Sequence, residues 1–364
     1  MASRQLDNSP CPVPFWLPGG HLQTIYTALF TRHHRIAFVR HRADTADGDF
    51  VDFDWTAPGL FADKLQSGHQ APPDAHLKNT SARRWLQEED WHALPQTADT
   101  QALVLFHGLE GSSCSHYIQA IAQYFRARGW VVVVAHFRGC SGFPNRMARA
   151  YFSGDSDEVN FVLNTVRMRL PHARWHAVGA SMGGNALLKH LGEHVEQSGF
   201  LHAAAAISVP TDLQAGGRYL SESKAGRYLY SPYFLRSMRQ KLHDKASRFP
   251  GLIDTHRLSR VRTIYDFDDM YTAPMHGFTN ALDYWTRCSS KPVLRHIRVR
   301  TLILNALNDP FVPLASLPTC DDVSDQVLLH QPAKGGHVGF TTGSFPGNFS
   351  WLPARLARFF DTNS

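Results

Sequence analysis

From residue 101 onward the chain alternates short apolar runs with helical patterns, and this rhythm limits the folds open to it. "ALVLF" (102–106), "WVVVVAHF" (130–137), "RWHAVGA" (174–180) and "HAAAAISVP" (202–210) are short and apolar, the first two rich in β-branched residues. Their lack of polar alternation predicts strands buried on both faces. Helices are expected at roughly 115–128 and 155–170, and from Met182 to about Leu191. Strand–helix alternation at this pitch implies a mostly parallel sheet with helices on both faces. The rhythm breaks over 211–290, a stretch rich in Arg, Tyr and Phe with several helical patterns. It resumes with "VRTLILNA" (299–306), "QVLLHQPA" (326–333) and a terminal helix around 350–361.

The expected organisation is therefore one α/β core, 101–210 and 291–364, with a helical cap inserted late in the sheet at 211–290. Residues 1–100 form an N-terminal wrap, a β-hairpin and a surface insertion. The wrap is irregular and leads into a short helix. In the hairpin, "RIAFVRHR" and "FVDFDW" flank the Asp47-Gly48 turn signal. The insertion, about 57–99, is polar and carries "APPD" and "SARRWLQEEDWHALP", with one short helix expected. At 364 residues the chain is long enough to bury a large core.

The net charge of +6 is scattered rather than gathered in one tract, which favours anionic partners only weakly. Five cysteines, widely spaced and with no C-x-x-C pair, indicate neither a disulfide framework nor a zinc knuckle. The first residues, "MASRQLDNSPCPVPF", lack a signal-peptide core, and the apolar runs are too short to span a bilayer. A cytoplasmic protein is the expectation. No P-loop and no G-x-G-x-x-G occurs, so neither nucleotide nor nucleic-acid binding has support.

The chemistry concentrates at "VGASMGGNAL", 178–187, which spells Gly-x-Ser-x-Gly around Ser181. That spelling alone arises by chance in roughly one chain in ten of this length. Its placement is more selective. Ser181 follows an expected buried strand and precedes an expected helix, the context of a nucleophile elbow. The helix directs its amino-terminal dipole at the site. A serine hydroxyl needs a base, and the base needs an orienting group. In elbow-bearing sheets the chain order is serine, acid, histidine, the last two on loops after later strands. Asp309 follows "VRTLILNA" and His337 follows "QVLLHQPA", as that order requires. The oxyanion donors expected are the backbone N–H of Met182 and, from the loop "LFHGLEGSS", that of Leu109. No metal or organic cofactor is needed.

Other patterns compete. Asp266, Asp268 and Asp269 are rival acids, but they fall in the cap. His190-Leu191-Gly192-Glu193-His194 spells the inverted zinc-peptidase motif, yet on the helix leaving the elbow and interrupted by a glycine. "TRHHRIAFVRHR" (31–42) and a basic amphipathic helix at 231–246 offer a surface for anionic lipid. The alternative is that Phe234, Met238 and Leu242 turn inward to a cap core.

The strings "GGHLQTIY", "DGDFVDFDW", "FHGLEGSS", "HFRGCSGFPNRM", "GASMGGNAL", "FDDMYTAPMHGF", "NALNDPFVP" and "GGHVGF" together resemble the α/β-hydrolase superfamily, and more closely its YheT-like branch. The resemblance spans roughly 13–361. It implies a serine carboxylesterase acting on a small-molecule ester, with lipid and acylglycerol esters in range; the basic surfaces add peripheral membrane contact as an expectation. The implied triad is Ser181, Asp309 and His337, in agreement with the residue-level reading. Thioesterase and acyltransferase chemistry fit the same triad; a non-catalytic binding protein on the same fold is the alternative, against which the intact triad argues. The stretch 60–98 is longer than the usual link in this family.

Overall fold

A computed structural model describes residues 5–30, 36–60 and 81–362. Among the described residues ten strands form one sheet in the order β1-β10-β9-β8-β7-β5-β6-β3-β2-β4. They are β1 (Leu6–Asp7), β2 (Phe38–Asp44), β3 (Phe50–Thr56), β4 (Ala82–Trp85), β5 (Gln101–Phe106), β6 (Val131–His136), β7 (Arg174–Ala180), β8 (Leu201–Ile207), β9 (Thr301–Leu304) and β10 (Val327–His330). Only β3 runs antiparallel to its neighbours, β2 and β6.

Residue alternation along the central strands divides the core into two layers. Ala102, Val104 and Phe106 of β5 join one apolar cluster, and Leu103 and Leu105 join the other. The first is covered by α4 (Ser156–Arg169) and α5 (Met182–Glu193). The second is covered by α3 (His116–Ala127) and the terminal helix Trp351–Asp361. Both faces are dry, which is why these strands read as unbroken apolar runs.

The chain passes from β5 to β6 on one side, then crosses back to place β7 on the other. That reversal falls between β5 and β7, and α/β sheets place their sites at the carboxyl ends of such strands.

The helical segments between β8 and β9 build a third apolar cluster, from Leu213, Leu235, Met238, Leu242, Leu258 and Tyr271 among others. On the helix Ser231–Arg248, Leu235, Met238 and Leu242 are buried in the cap cluster, against which Phe234 also packs. No described helix is long and apolar enough to cross a membrane.

Two expectations are corrected. The stretch around 57–99 is more than a surface insertion, because β4 extends the sheet beside β2. Helix α2 (Glu88–Ala93) then places Trp91 edge-on against Trp55. Buried Arg84 explains the miss: it donates to Asp90 at 2.5 and 2.7 Å, so a charged strand residue is neutralised locally. The N-terminal wrap also contributes β1, two residues pairing with β10. "APPD" and the first part of "TRHHRIAFVRHR" lie outside the described residues.

Several histidines are locked in the core uncharged. Burial pushes His107 and His176 down to about 3 and His190 to about 4, with neighbouring His136, His202 and His194 adding to it. All three are fully buried. In the unfolded chain each takes up a proton as pH falls below about 6.5, while in the folded chain none does until near pH 4. The stability these three groups contribute is thus intact above neutral pH and lost on acidification, by up to about 4 kcal/mol per pH unit around pH 5. Burial pushes the Glu158 and Asp268 carboxyls up to about 7 and about 6, and these oppose part of that fall. Urea titrations at stepped pH are expected to show a net loss of stability on acidification.

Candidate active site

Ser181 stands between β7 and α5 with φ 52° and ψ −120°, a conformation that L-residues rarely adopt. The turn is tight enough to demand glycine on both sides. A Cβ at Gly179 would lie 2.5 Å from the Gly183 carbonyl oxygen, and one at Gly183 would collide with that of His107. The serine's own N–H is held by Ile207 O at 2.8 Å, leaving the side chain to project above the sheet edge.

The structure brings the three predicted side chains together. His337 Nε2 is 2.9 Å from Ser181 Oγ, and His337 Nδ1 is 2.8 Å from Asp309 Oδ2. Asp309 Oδ1 accepts the Phe311 N–H at 2.8 Å, which fixes the carboxylate plane. Phe311 covers the imidazole, with ring centroids 4.2 Å apart. Asp309 and His337 are both buried.

Both predicted oxyanion amides adjoin the serine. Met182 is the first residue of α5, where N–H groups have no intrahelical acceptor. Leu109 lies in the loop after β5, whose Gly108 would bring a Cβ within 3.2 Å of Ser181 Cβ. Gly108 is pinned on both sides: its N–H donates to Tyr117 Oη at 2.7 Å, and its carbonyl lies 2.8 Å from His107 Nδ1. His107 Nε2 accepts the Phe137 N–H at 3.2 Å, so the proton resides on Nδ1 and points to that carbonyl. Among the described residues neither the Leu109 nor the Met182 N–H has a protein acceptor.

Nothing in the residue pattern singles out Gln23 and Thr24, on α1 (Gly20–Phe30), yet they hold the loops that carry Asp309 and His337. Gln23 Oε1 accepts from Asn308 Nδ2 at 2.9 Å and from Gly335 N–H at 3.0 Å, joining the two loops through one amide. Thr24 Oγ1 accepts the His337 N–H at 2.9 Å. The only signal is the string "GGHLQTIY", present in the resemblance. Gln23→Ala is expected to reduce kcat about tenfold to a hundredfold, because small displacements of reacting groups carry penalties of that order. Steady-state kinetics on a p-nitrophenyl ester, with circular dichroism as a folding control, checks it.

The rival groups are engaged elsewhere. Asp268 accepts from Trp285 Nε1 at 2.8 Å, Asp266 from the Thr263 N–H at 2.9 Å, and Asp269 pairs with Arg257 at 3.2 Å, all within the cap. In the zinc-like motif, Glu193 is bound by Lys189 and Ser156 at 2.6 and 2.5 Å, and the His190 and His194 rings stack at 4.9 Å. Among the described residues no group of three or more His, Cys, Asp or Glu side chains is arranged to hold a metal.

A family model for the alpha/beta hydrolase fold matches residues 101–344. The chain is an α/β hydrolase. It is 33% identical over 344 residues to "Putative esterase YheT" of Escherichia coli, covering 94% of this chain and 90% of that protein, which puts it in the YheT-like branch. It is 26% identical to a monoacylglycerol lipase of Saccharomyces cerevisiae, over 94% of this chain and 78% of that one. With the phospholipase ABHD3 of Mus musculus it shares 29% identity, over 93% and 74%. Among solved structures, the α/β hydrolase GrgF from a Penicillium species superposes with a TM-score of 0.52 at 13% identity, over 89% of this chain and 98% of that one. The last of these speaks to fold alone. The family is of the esterase and lipase type.

Proposed function

We propose that this α/β hydrolase is a serine carboxylesterase with Ser181 as nucleophile, His337 as general base and acid, and Asp309 as orienting carboxylate. The observation that carries the reading is the unbroken chain from Ser181 Oγ through His337 to Asp309, at 2.9 and 2.8 Å. Ser181 Oγ attacks the ester carbonyl as its proton passes to His337 Nε2. The Nδ1–H donates to Asp309, which stabilises the imidazolium. The carbonyl oxygen becomes an oxyanion within reach of the Leu109 and Met182 N–H groups. His337 then protonates the leaving alcohol, and a water deprotonated by the same nitrogen releases the acid and regenerates Ser181.

Lipid or acylglycerol esters are the preferred substrate class. The lipase and phospholipase relatives support it, as does the apolar cap cluster, against which Leu109 packs at the site. The cap, residues 211–290, is assigned the role of shaping the acyl pocket. All five cysteine thiols are unpaired, which supports action in a reducing compartment, the cytoplasm.

The test is fluorophosphonate labelling with the adduct mapped by mass spectrometry, alongside hydrolysis of esters from short p-nitrophenyl acyls to long-chain monoglycerides. A single adduct on Ser181 and turnover rising with acyl length are expected. A protein that neither labels nor hydrolyses any of these esters is instead the binding module.

A further inference from the structure

The loop that presents the Leu109 amide is tied to the cap by a group the reaction itself does not use. Residues 108–111 form a turn closed by the Gly111 N–H on the Gly108 carbonyl at 2.9 Å. Its third residue is Glu110, with φ 55°. Glycine or asparagine is the usual occupant of a turn position with positive φ, so a glutamate there carries strain that its side chain must offset.

That side chain is nearly buried, at 9% exposure, and accepts two charge-assisted hydrogen bonds. Tyr151 Oη donates to Oε1 at 2.7 Å, and Lys241 Nζ donates to the same oxygen at 2.8 Å. Tyr151 belongs to the core, whereas Lys241 stands on the cap helix Ser231–Arg248. Leu109 itself packs against both the core cluster and the cap cluster. The Gly108–Leu109 peptide is therefore fixed from below by His107, with Tyr117 holding the peptide before it, and the turn that follows is fixed from above by the cap.

We propose that the Glu110–Lys241 pair is a latch that seats the cap helix on the oxyanion loop, making Glu110 and Lys241 positioning residues for the Leu109 amide. The latch rests on the esterase reading given above. With the cap seated, the turn holds its strained residue and the amide faces Ser181. With the pair broken, the turn relaxes and the donor leaves its line. Cap placement and transition-state stabilisation are thereby coupled through one ion pair.

Lys245, one turn along the same helix, supplies the control. It also fastens cap to core, with Nζ donating to the Ala148 and Arg149 carbonyls at 2.6 and 3.1 Å, but it does not touch the oxyanion loop. Kinetics on a p-nitrophenyl ester and thermal midpoints are compared for Lys241→Met, Lys241→Arg, Glu110→Gln, the Glu110→Gln/Lys241→Met double variant, and Lys245→Met. An oxyanion donor acts on the transition state, so Lys241→Met is expected to lower kcat about tenfold with little change in KM. Lys241→Arg returns most of that loss. The double variant is no worse than either single one. Lys245→Met lowers the thermal midpoint and leaves kcat near wild type. Glu110→Gln, almost isosteric, carries the test should Lys241→Met fold poorly.

Unchanged kcat in both Lys241→Met and Glu110→Gln overturns the latch, and so does an equal kcat loss in Lys245→Met. Ser181→Ala, assayed in parallel, separates the two ideas. If it is inactive while Lys241→Met turns over normally, only the latch falls. If it hydrolyses like wild type, the esterase reading fails and the latch fails with it.

Discussion

Ser181→Ala is expected to lower kcat for ester hydrolysis by about 10⁵ to 10⁶, by analogy with triads in which the nucleophile is removed. The fold should hardly register the change. Alanine keeps the Cβ, and the positive φ at this position already accommodates a residue with one. The hydroxyl's side-chain partner is His337, which remains bound to Asp309 through its other nitrogen. Among the described residues only the acceptor nitrogen of the imidazole, Nε2, loses a side-chain partner. What survives is the rate due to the oxyanion donors acting on attack by water. His337→Ala should fall to a similar level, and the double variant no further, because the two side chains act as a unit. Turnover within tenfold of wild type in Ser181→Ala, with a thermal midpoint unchanged, would place the chemistry on another residue.

The parts of this molecule legible from its residues are those whose burial follows a simple period. β5 and β6 are buried on both faces and read as unbroken apolar runs. Ser181, Asp309 and His337, the proposed nucleophile, acid and base, each terminate or follow a strand of the sheet, so the strand pattern points to them. α1 breaks that logic. Its buried side is Gln23, Thr24 and Thr27, while Leu22, Leu29 and Phe30 are exposed at 52%, 62% and 62%. A helix that spends its inner face on hydrogen bonds to loops inverts the apolar pattern, so a periodicity argument assigns its faces backwards. Arg84 in β4, and Lys241 and Lys245 in the cap helix, escape notice for a related reason. Each is a charged residue turned inward toward a specific partner, Arg84 across the strand-to-helix turn to Asp90 and the two lysines to distant loops, and such pairings follow no helix or strand period.

Asp309→Asn is expected to lower kcat about 10⁴-fold while leaving the structure in place, and the reason lies in how the carboxylate is held. Asp309 Oδ1 accepts the Phe311 N–H at 2.8 Å, and Oδ2 is the nearer oxygen to His337 Nδ1, at 2.8 Å against 3.1 Å for Oδ1. An asparagine must keep its oxygen toward the Phe311 N–H, since the reverse orientation would set two donors against each other. Its NH₂ then faces Nδ1, which must give up its proton to accept. The imidazole is driven to the tautomer with hydrogen on Nε2, and that nitrogen now donates toward Ser181 Oγ instead of taking its proton. The base is present, oriented and 2.9 Å from the nucleophile, yet its lone pair is on the wrong side. A second loss follows in the transition state, because a neutral amide does not stabilise the imidazolium as a carboxylate does. Asp309→Ala removes the orienting bond without imposing a tautomer, so the imidazole can still present Nε2 as a base for part of the time. Comparing kcat for the two variants therefore separates tautomer control from simple loss of packing, and Asn as damaging as Ala or more so is the signature of the former.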